Sequence, residues 1–327
     1  MNFSKKLILL CLLLVVRVSW AQNIDDSTSI IDSTKSKSYP IIKLFGVSYD
    51  ALGPTDYEAN IDGHEIHKGT VRGGSLLAYG SFFLLNKPKH IISLTEVYRR
   101  EFIELNDLEN PFYEGQGTKY NFNSFSTSIN YTNRTKWKGK PLISTVSTYV
   151  TTSDLGRIDK VSGIITSTMV FQKKPETRYT LGVAILADLS TSTPLFPVVS
   201  YWHQFKNPSW EISAVLPKEV YLRKNNILGG WLSAGSELIS KSYFLYNLPG
   251  RFGTFENRLT EIQTGLKYEY ITNEGIMLSV GAGYRNVAQN NIIEVYKPNR
   301  DKIVNMTYNG GWFAKVELSF VIQSLKK

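Results

Sequence analysis

The stretch Gly311–Ile322, GWFAKVELSFVI, decides how the rest of the chain is read. In an extended strand, Trp312, Ala314, Val316, Leu318, Phe320 and Ile322 fall on one side. Phe313, Lys315, Glu317, Ser319 and Val321 fall on the other. Alternation of this strictness marks a strand with two different environments. One face is continuously apolar, and the other carries a lysine and a glutamate. Such a strand suits a soluble sandwich, and it equally suits a membrane barrel with lipid outside and a polar lumen inside.

Working outward, the N-terminus favours export. Lys5 and Lys6 form a positive n-region, Leu7 to Val16 an apolar core, and Ser19 and Ala21 the small residues before a cut ahead of Gln22. The pattern is that of a secretory signal peptide over 1–21, and its apolar core is too short to span a bilayer of roughly 30 Å. Residues 22–39, rich in Ser, Thr and Asp, read as a flexible periplasmic lead, and 40–327 as one structural unit. The single cysteine, Cys11, lies in the leader, so the mature chain has no thiol for a disulfide, a nucleophile or a metal.

The formal charge of +9 becomes +6 once Lys5, Lys6 and Arg17 leave with the leader. The remaining basic residues are interleaved with acidic ones and form no stripe, which disfavours nucleic acid as a partner. No mature segment approaches 18 consecutive apolar residues, so no transmembrane helix is expected. The 19 Tyr, 16 Phe and 6 Trp are spread through alternating segments, as in the aromatic girdles of a membrane barrel.

Strand patterns recur at 41–52, 72–85, 91–104, 118–132, 141–153, 161–173, 177–189, 196–206, 209–222, 227–239, 241–248, 258–271, 276–287 and 311–322. Short connections at 86–90, 174–176, 207–208 and 273–275 alternate with longer ones at 53–71, 105–117, 249–257 and 288–310. Short turns on one side and long loops on the other predict an all-β fold, a single antiparallel up-and-down transmembrane β-barrel of 12–14 strands. In 258–287, Ile262, Leu266, Tyr268 and Tyr270 must share the lipid face with Ile276, Leu278 and Val280, which requires an odd-numbered loop. Asn273-Glu274-Gly275 supplies three residues with Gly275 left-handed. That register sets Gln263 opposite Arg285, with Glu261 diagonal to it.

The phase assignment puts Arg178, Glu211, Glu237, Glu261, Gln263, Lys267, Glu269, Arg285, Lys315 and Glu317 in the lumen. Charges of both signs there can line a selective pore or can pair and partly plug it; pairing is the preferred expectation. No catalytic set is legible. His64 and His67 flank Glu65 in IDGHEIHKG without a third metal ligand, and read as a solvated loop. Ser200 and His203 lie three apart in SYWHQF, which places them on opposite faces of a strand and argues against a lipid hydrolase. GAGYRN at 281–286 lies within a strand and opens no helix, so it is no phosphate loop. No cofactor, no metal and no enzymatic activity are expected.

The AQ junction, the stretch FPVVSYWHQFKNPSWEISAVLPKEVYLRK at 196–224 and the closing WFAKVELSFVI resemble Gram-negative outer-membrane β-barrel proteins of uncharacterised function. The resemblance implies the cell outer membrane as location, its lipid as surroundings and the outer-membrane assembly machinery as a partner. That machinery reads a terminal strand ending in an aromatic residue, whereas here Val321–Lys327 follow Phe320. The functional expectation is a narrow, porin-like channel or transporter for small polar solutes. The alternative is a structural or interaction barrel acting through its long loops, with a lipid hydrolase third.

Overall fold

The computed structural model describes residues 42–61, 65–106, 119–191, 194–248, 250–297 and 302–322. The leader and the lead segment lie outside them, as do His64 and most of the expected loop 105–117. Every regular element among the described residues is a β-strand. In chain order they are β1 (Ile42–Ile61), β2 (Glu65–Asn86), β3 (His90–Asn106), β4 (Lys119–Trp137), β5 (Lys140–Thr152), β6 (Lys160–Lys174), β7 (Thr177–Ala187) and β8 (Leu195–Gln204). They continue with β9 (Trp210–Leu216), β10 (Glu219–Ile227), β11 (Gly230–Leu248), β12 (Arg251–Ile271), β13 (Ile276–Glu294), β14 (Lys302–Tyr308) and β15 (Gly311–Ile322).

Each strand from β1 to β13 pairs antiparallel with the next, and the ring closes through β13–β15 and β15–β1. β14 pairs with the same two neighbours further along their length. β14 and β15 are therefore two parts of one stave, interrupted at Asn309–Gly310, and the 15 strands make fourteen staves. Closure pairs the strands at belt level on both sides, as a sheet in lipid requires. Ile42 pairs with Ile322 at one end, here called the base; the opposite end is the crown.

The base turns are short, including 138–139, 175–176 and 228–229. The β12–β13 turn has the odd length the phase demands. Thr272 bonds the carbonyl of Ile276, Gly275 sits at φ 81°, and Gln263 faces Arg285. The crown differs from expectation. Segments 53–71, 249–257 and 288–310 are mostly strand, because β1, β2, β11, β12 and β13 run 19 to 22 residues. Two other boundaries also move. Residues 209–222 are cut by a turn at Pro217–Lys218, and the expected strands 227–239 and 241–248 merge into one, β11 (Gly230–Leu248). These two differences cancel in the strand number.

At the level of the base half, the outward face is apolar. Trp312 is 71% exposed, Val316 51% and Phe320 52%; Val47, Leu181, Val183, Leu266, Leu278 and Val280 share this exposure. Side chains this greasy, standing in a closed belt, need acyl chains as solvent. Glu96 also faces outward, where Thr127 Oγ1 donates to it at 2.7 Å. The fold is an outer-membrane β-barrel.

Above the belt the pattern inverts. β1 carries Val47, Tyr49 and Ala51 outside with Ser48 and Asp50 inside, and a bulge at Gly53–Pro54 then shifts the phase by one. Beyond it Asp56 and Glu58 look out, while Tyr57 and Ala59 are buried inside. Water outside and apolar side chains inside is the rule of a soluble sheet, so the crown has left the lipid.

Candidate functional site: the lumen and its mouth

The apolar inner face of the crown cannot stay open to water. Tyr57, Val71, Leu245, Leu248, Phe255, Ile292, Val304 and Met306 collapse into one cluster, joined by Ile103 and Phe122. Burying each large side chain contributes about 1.5–3 kcal/mol, which pulls opposite walls together. Phe122 of β4 meets Tyr243 of β11 across the barrel, with ring centroids 5.9 Å apart.

The contacts of the other face show how far the wall has moved. On β12, Glu256, Arg258 and Thr260 are in phase with Ile262 and Leu266, which face lipid lower down. Yet Lys160, from the inner side of β6, bonds Glu256 at 2.9 Å and Asp188 at 2.8 Å. Arg258 reaches Asp188 at 3.4 Å and the Ser190 carbonyl at 3.0 Å. Tyr246 donates to Asp159 at 2.8 Å, and Arg157 lies 3.8 Å over the Tyr246 ring. Asn290–Ile293 of β13 are buried at every position, so both of its faces are covered there. The crown of β11–β13 therefore leans across the mouth. One face packs on β1–β4, and the other is clasped by the ends of β5–β6 and β7–β8.

Beneath the apolar cluster the expected lumen residues pair with one another and with partners outside the expected set. Glu261, fully buried, accepts from Gln263 at 2.8 Å and Arg285 at 3.2 Å, with Lys241 Nζ at 3.3 Å. Lys241 also lies 3.9 Å from Glu101. Lys315 lies 3.9 Å from Asp50; Glu317 takes Lys43 and the Tyr79 hydroxyl, both at 2.9 Å. Lys267 lies 3.4 Å from the buried Glu269 and 4.7 Å over the Tyr221 ring, whose hydroxyl donates to Glu237 at 3.2 Å. Glu211 binds the fully buried Arg223 and the Trp202 indole, and Arg178 lies over Trp202 at 5.7 Å. Arg223 was missed because 209–222 was read as one strand. Phase restarted after Pro217 sets it inward, opposite Glu211 and Ser233.

The two halves of the lumen differ. Between β1–β3 and β11–β13 lies a small cavity of about 30 Å³, lined by Leu52, Glu101, Tyr243, Arg285 and neighbours. Along β5–β8 the inward Tyr149, Thr166, Thr168, Arg178, Thr180 and Trp202 remain partly exposed. Above them, between the leaning crown and the opposite wall, lies a polar cavity of about 390 Å³. At its rim burial raises the Asp188 carboxyl, but hydrogen bonds from Lys160 and Ser190 outweigh that and hold it below its ordinary range. Ser200 lies on the inward face and His203 on the outward one, where Thr177 contacts His203 Nδ1 at 2.8 Å.

No family model matches the chain, and no curated protein matches it. Among solved structures, an outer-membrane channel from Pseudomonas putida F1 aligns over 89% of this chain and 100% of its own, at 10% identity and TM-score 0.41. The β domain of the Bordetella autotransporter BrkA aligns over 85% and 100%, at 9% identity and TM-score 0.31. The Escherichia coli outer-membrane protease OmpT aligns over 88% and 100%, at 8% identity and TM-score 0.27. Likenesses this distant carry no site or activity across, and the class of the protein rests on its own ring and belt.

Proposed function

We propose that this outer-membrane barrel is a narrow channel or transporter for small polar solutes, held closed at rest by its leaning crown. The observation that carries the reading is the contrast within the lumen. One side is filled by an apolar plug and paired charges, while the β5–β8 side keeps polar, water-accessible side chains under an open cavity. A route there would suit solutes that exchange hydration for hydroxyl and amide contacts. Outer-membrane lipid would bathe the belt, the assembly machinery would insert the chain, and nucleic acid has no place in this reading.

Catalysis is not part of the proposal, since Ser200 and His203 point to opposite faces. A second reading, an interaction barrel, draws on the crown standing in water with Asp56, Glu58 and Lys68 outside. It would act through tall strand walls rather than the long loops first expected. Planar-bilayer recording and liposome swelling on refolded protein separate the two. The channel reading expects small, infrequent openings that become frequent when the clasp is cut by Glu256→Gln with Asp188→Asn. Silence in both proteins would leave the interaction reading.

A further inference from the structure

The lining of the mouth cavity is chemically lopsided. Thr151, Ser162, Thr191, Ser240, Ser242 and Thr260 contribute six hydroxyls, and Gln289 adds an amide. The one apolar ring is Phe244. The charged groups at the border are two cations and two anions already bound to one another: Lys160 to Asp188 and Glu256, and Arg258 to the same two carboxylates. Lys241, the fifth charged lining residue, is 3.3 Å from Glu261.

These features point to a class of ligand. An ion entering the cavity would leave water without gaining a free counter-charge, and would have to break a buried pair to obtain one. A neutral solute meets no such cost. A dense set of short hydroxyls, each able to donate and to accept, matches a molecule with the same property along its own edge. The volume falls at the lower end of the range for small-molecule sites.

We propose that the cavity between the leaning crown and the β5–β8 wall binds neutral, polyhydroxylated solutes of sugar type, up to about disaccharide size. The proposal deepens the channel reading by naming a solute class, yet binding can be measured without transport.

The test is calorimetric titration of the full-length refolded protein in detergent with glucose, sucrose, maltose and lactose, and with glucuronate and glucosamine as charged counterparts. At least one neutral sugar should bind. Thr260→Val and Ser162→Ala should each weaken it by about three- to tenfold, with unchanged heat-modifiability on gels confirming the fold. The charged counterparts should bind at least tenfold more weakly. Silence of all four neutral sugars, tighter binding of glucuronate or glucosamine, or indifference to both substitutions would each overturn the proposal. Sugar binding without liposome swelling would retain the site and discard the channel. Swelling without sugar binding would do the reverse.

Discussion

The walls β7–β10 and β11–β13 belong to one ring but obey different rules. β7 to β10 run 7 to 11 residues each, and β11 to β13 run 19 to 21. Ten residues extend roughly 33 Å, enough to cross an apolar band about 25 Å tall at a barrel's tilt. Twenty extend roughly 66 Å and must emerge into water. The short wall thus needs only the outside-apolar, inside-polar pattern of a membrane strand. The tall wall needs that pattern below and its inverse above, and it meets the second requirement by folding its crown inward.

The clasp between the walls offers the sharpest break. Lys160 is almost fully buried beside the equally buried Glu256, and removing one partner of such a pair costs about 3–5 kcal/mol. Lys160→Met is expected to lower the denaturant midpoint of the crown, to expose 250–257 to protease and to raise open probability. Unchanged protease resistance would show that the apolar cluster alone holds the crown. The same contact titrates. Asp188 is held below its ordinary range, so its contribution is complete above the unfolded value of about 4 and is lost as pH falls through the lower folded value. Conductance should therefore stay flat from pH 7 to 5 and rise only below about pH 4. Asp188→Asn should remove most of that rise.

Next in size is a test of the inversion itself. Leu266, outward in the belt and 58% exposed, should lose about 2–4 kcal/mol of folding free energy in bilayers as Leu266→Arg. Asp56→Arg, outward on the crown, should change stability by less than about 0.5 kcal/mol. Equal costs at the two sites would refute the proposed water line. Smaller again is Gly275→Ala at the base, where φ 81° disfavours a Cβ and the Val321 carbonyl lies 3.1 Å from its position. About 1–2 kcal/mol is expected, seen as slower refolding into vesicles.

The same inversion explains what could be read in the sequence. Gly311–Ile322 and 261–287 lie at belt level, where one period and one polarity hold from end to end, so their faces and register were legible. The alternation legible in the sequence ends at residue 52 in β1 and at 287 in β13. The structure has bulges just there, at Gly53–Pro54 and beside Ala288, where phase slips and polarity changes sign. Past those points Asp56 and Glu58 stand outside, a pattern that membrane-strand alternation does not allow. The clasp was invisible for a further reason. Lys160 and Glu256 are 96 residues apart and meet only because β11–β13 lean across the ring, a consequence of the plug rather than of any local pattern.

The smallest effect is also the most discriminating about environment. Lys68 and Glu58 face one another outside the crown at 2.7 Å, with side chains 67% and 55% exposed. In water such a pair is worth about 0–1 kcal/mol and is screened by salt, so Lys68→Ala should barely move stability in low or high salt. Val47 and Ala78 are likewise opposite one another on the same two strands, lower down and facing out. Placing Glu and Lys at those two positions would reproduce the pair but set it against acyl chains. There each charge would forfeit hydration that the partner only partly replaces. The double variant should insert poorly, while the crown pair is dispensable, because the surroundings and not the pair differ.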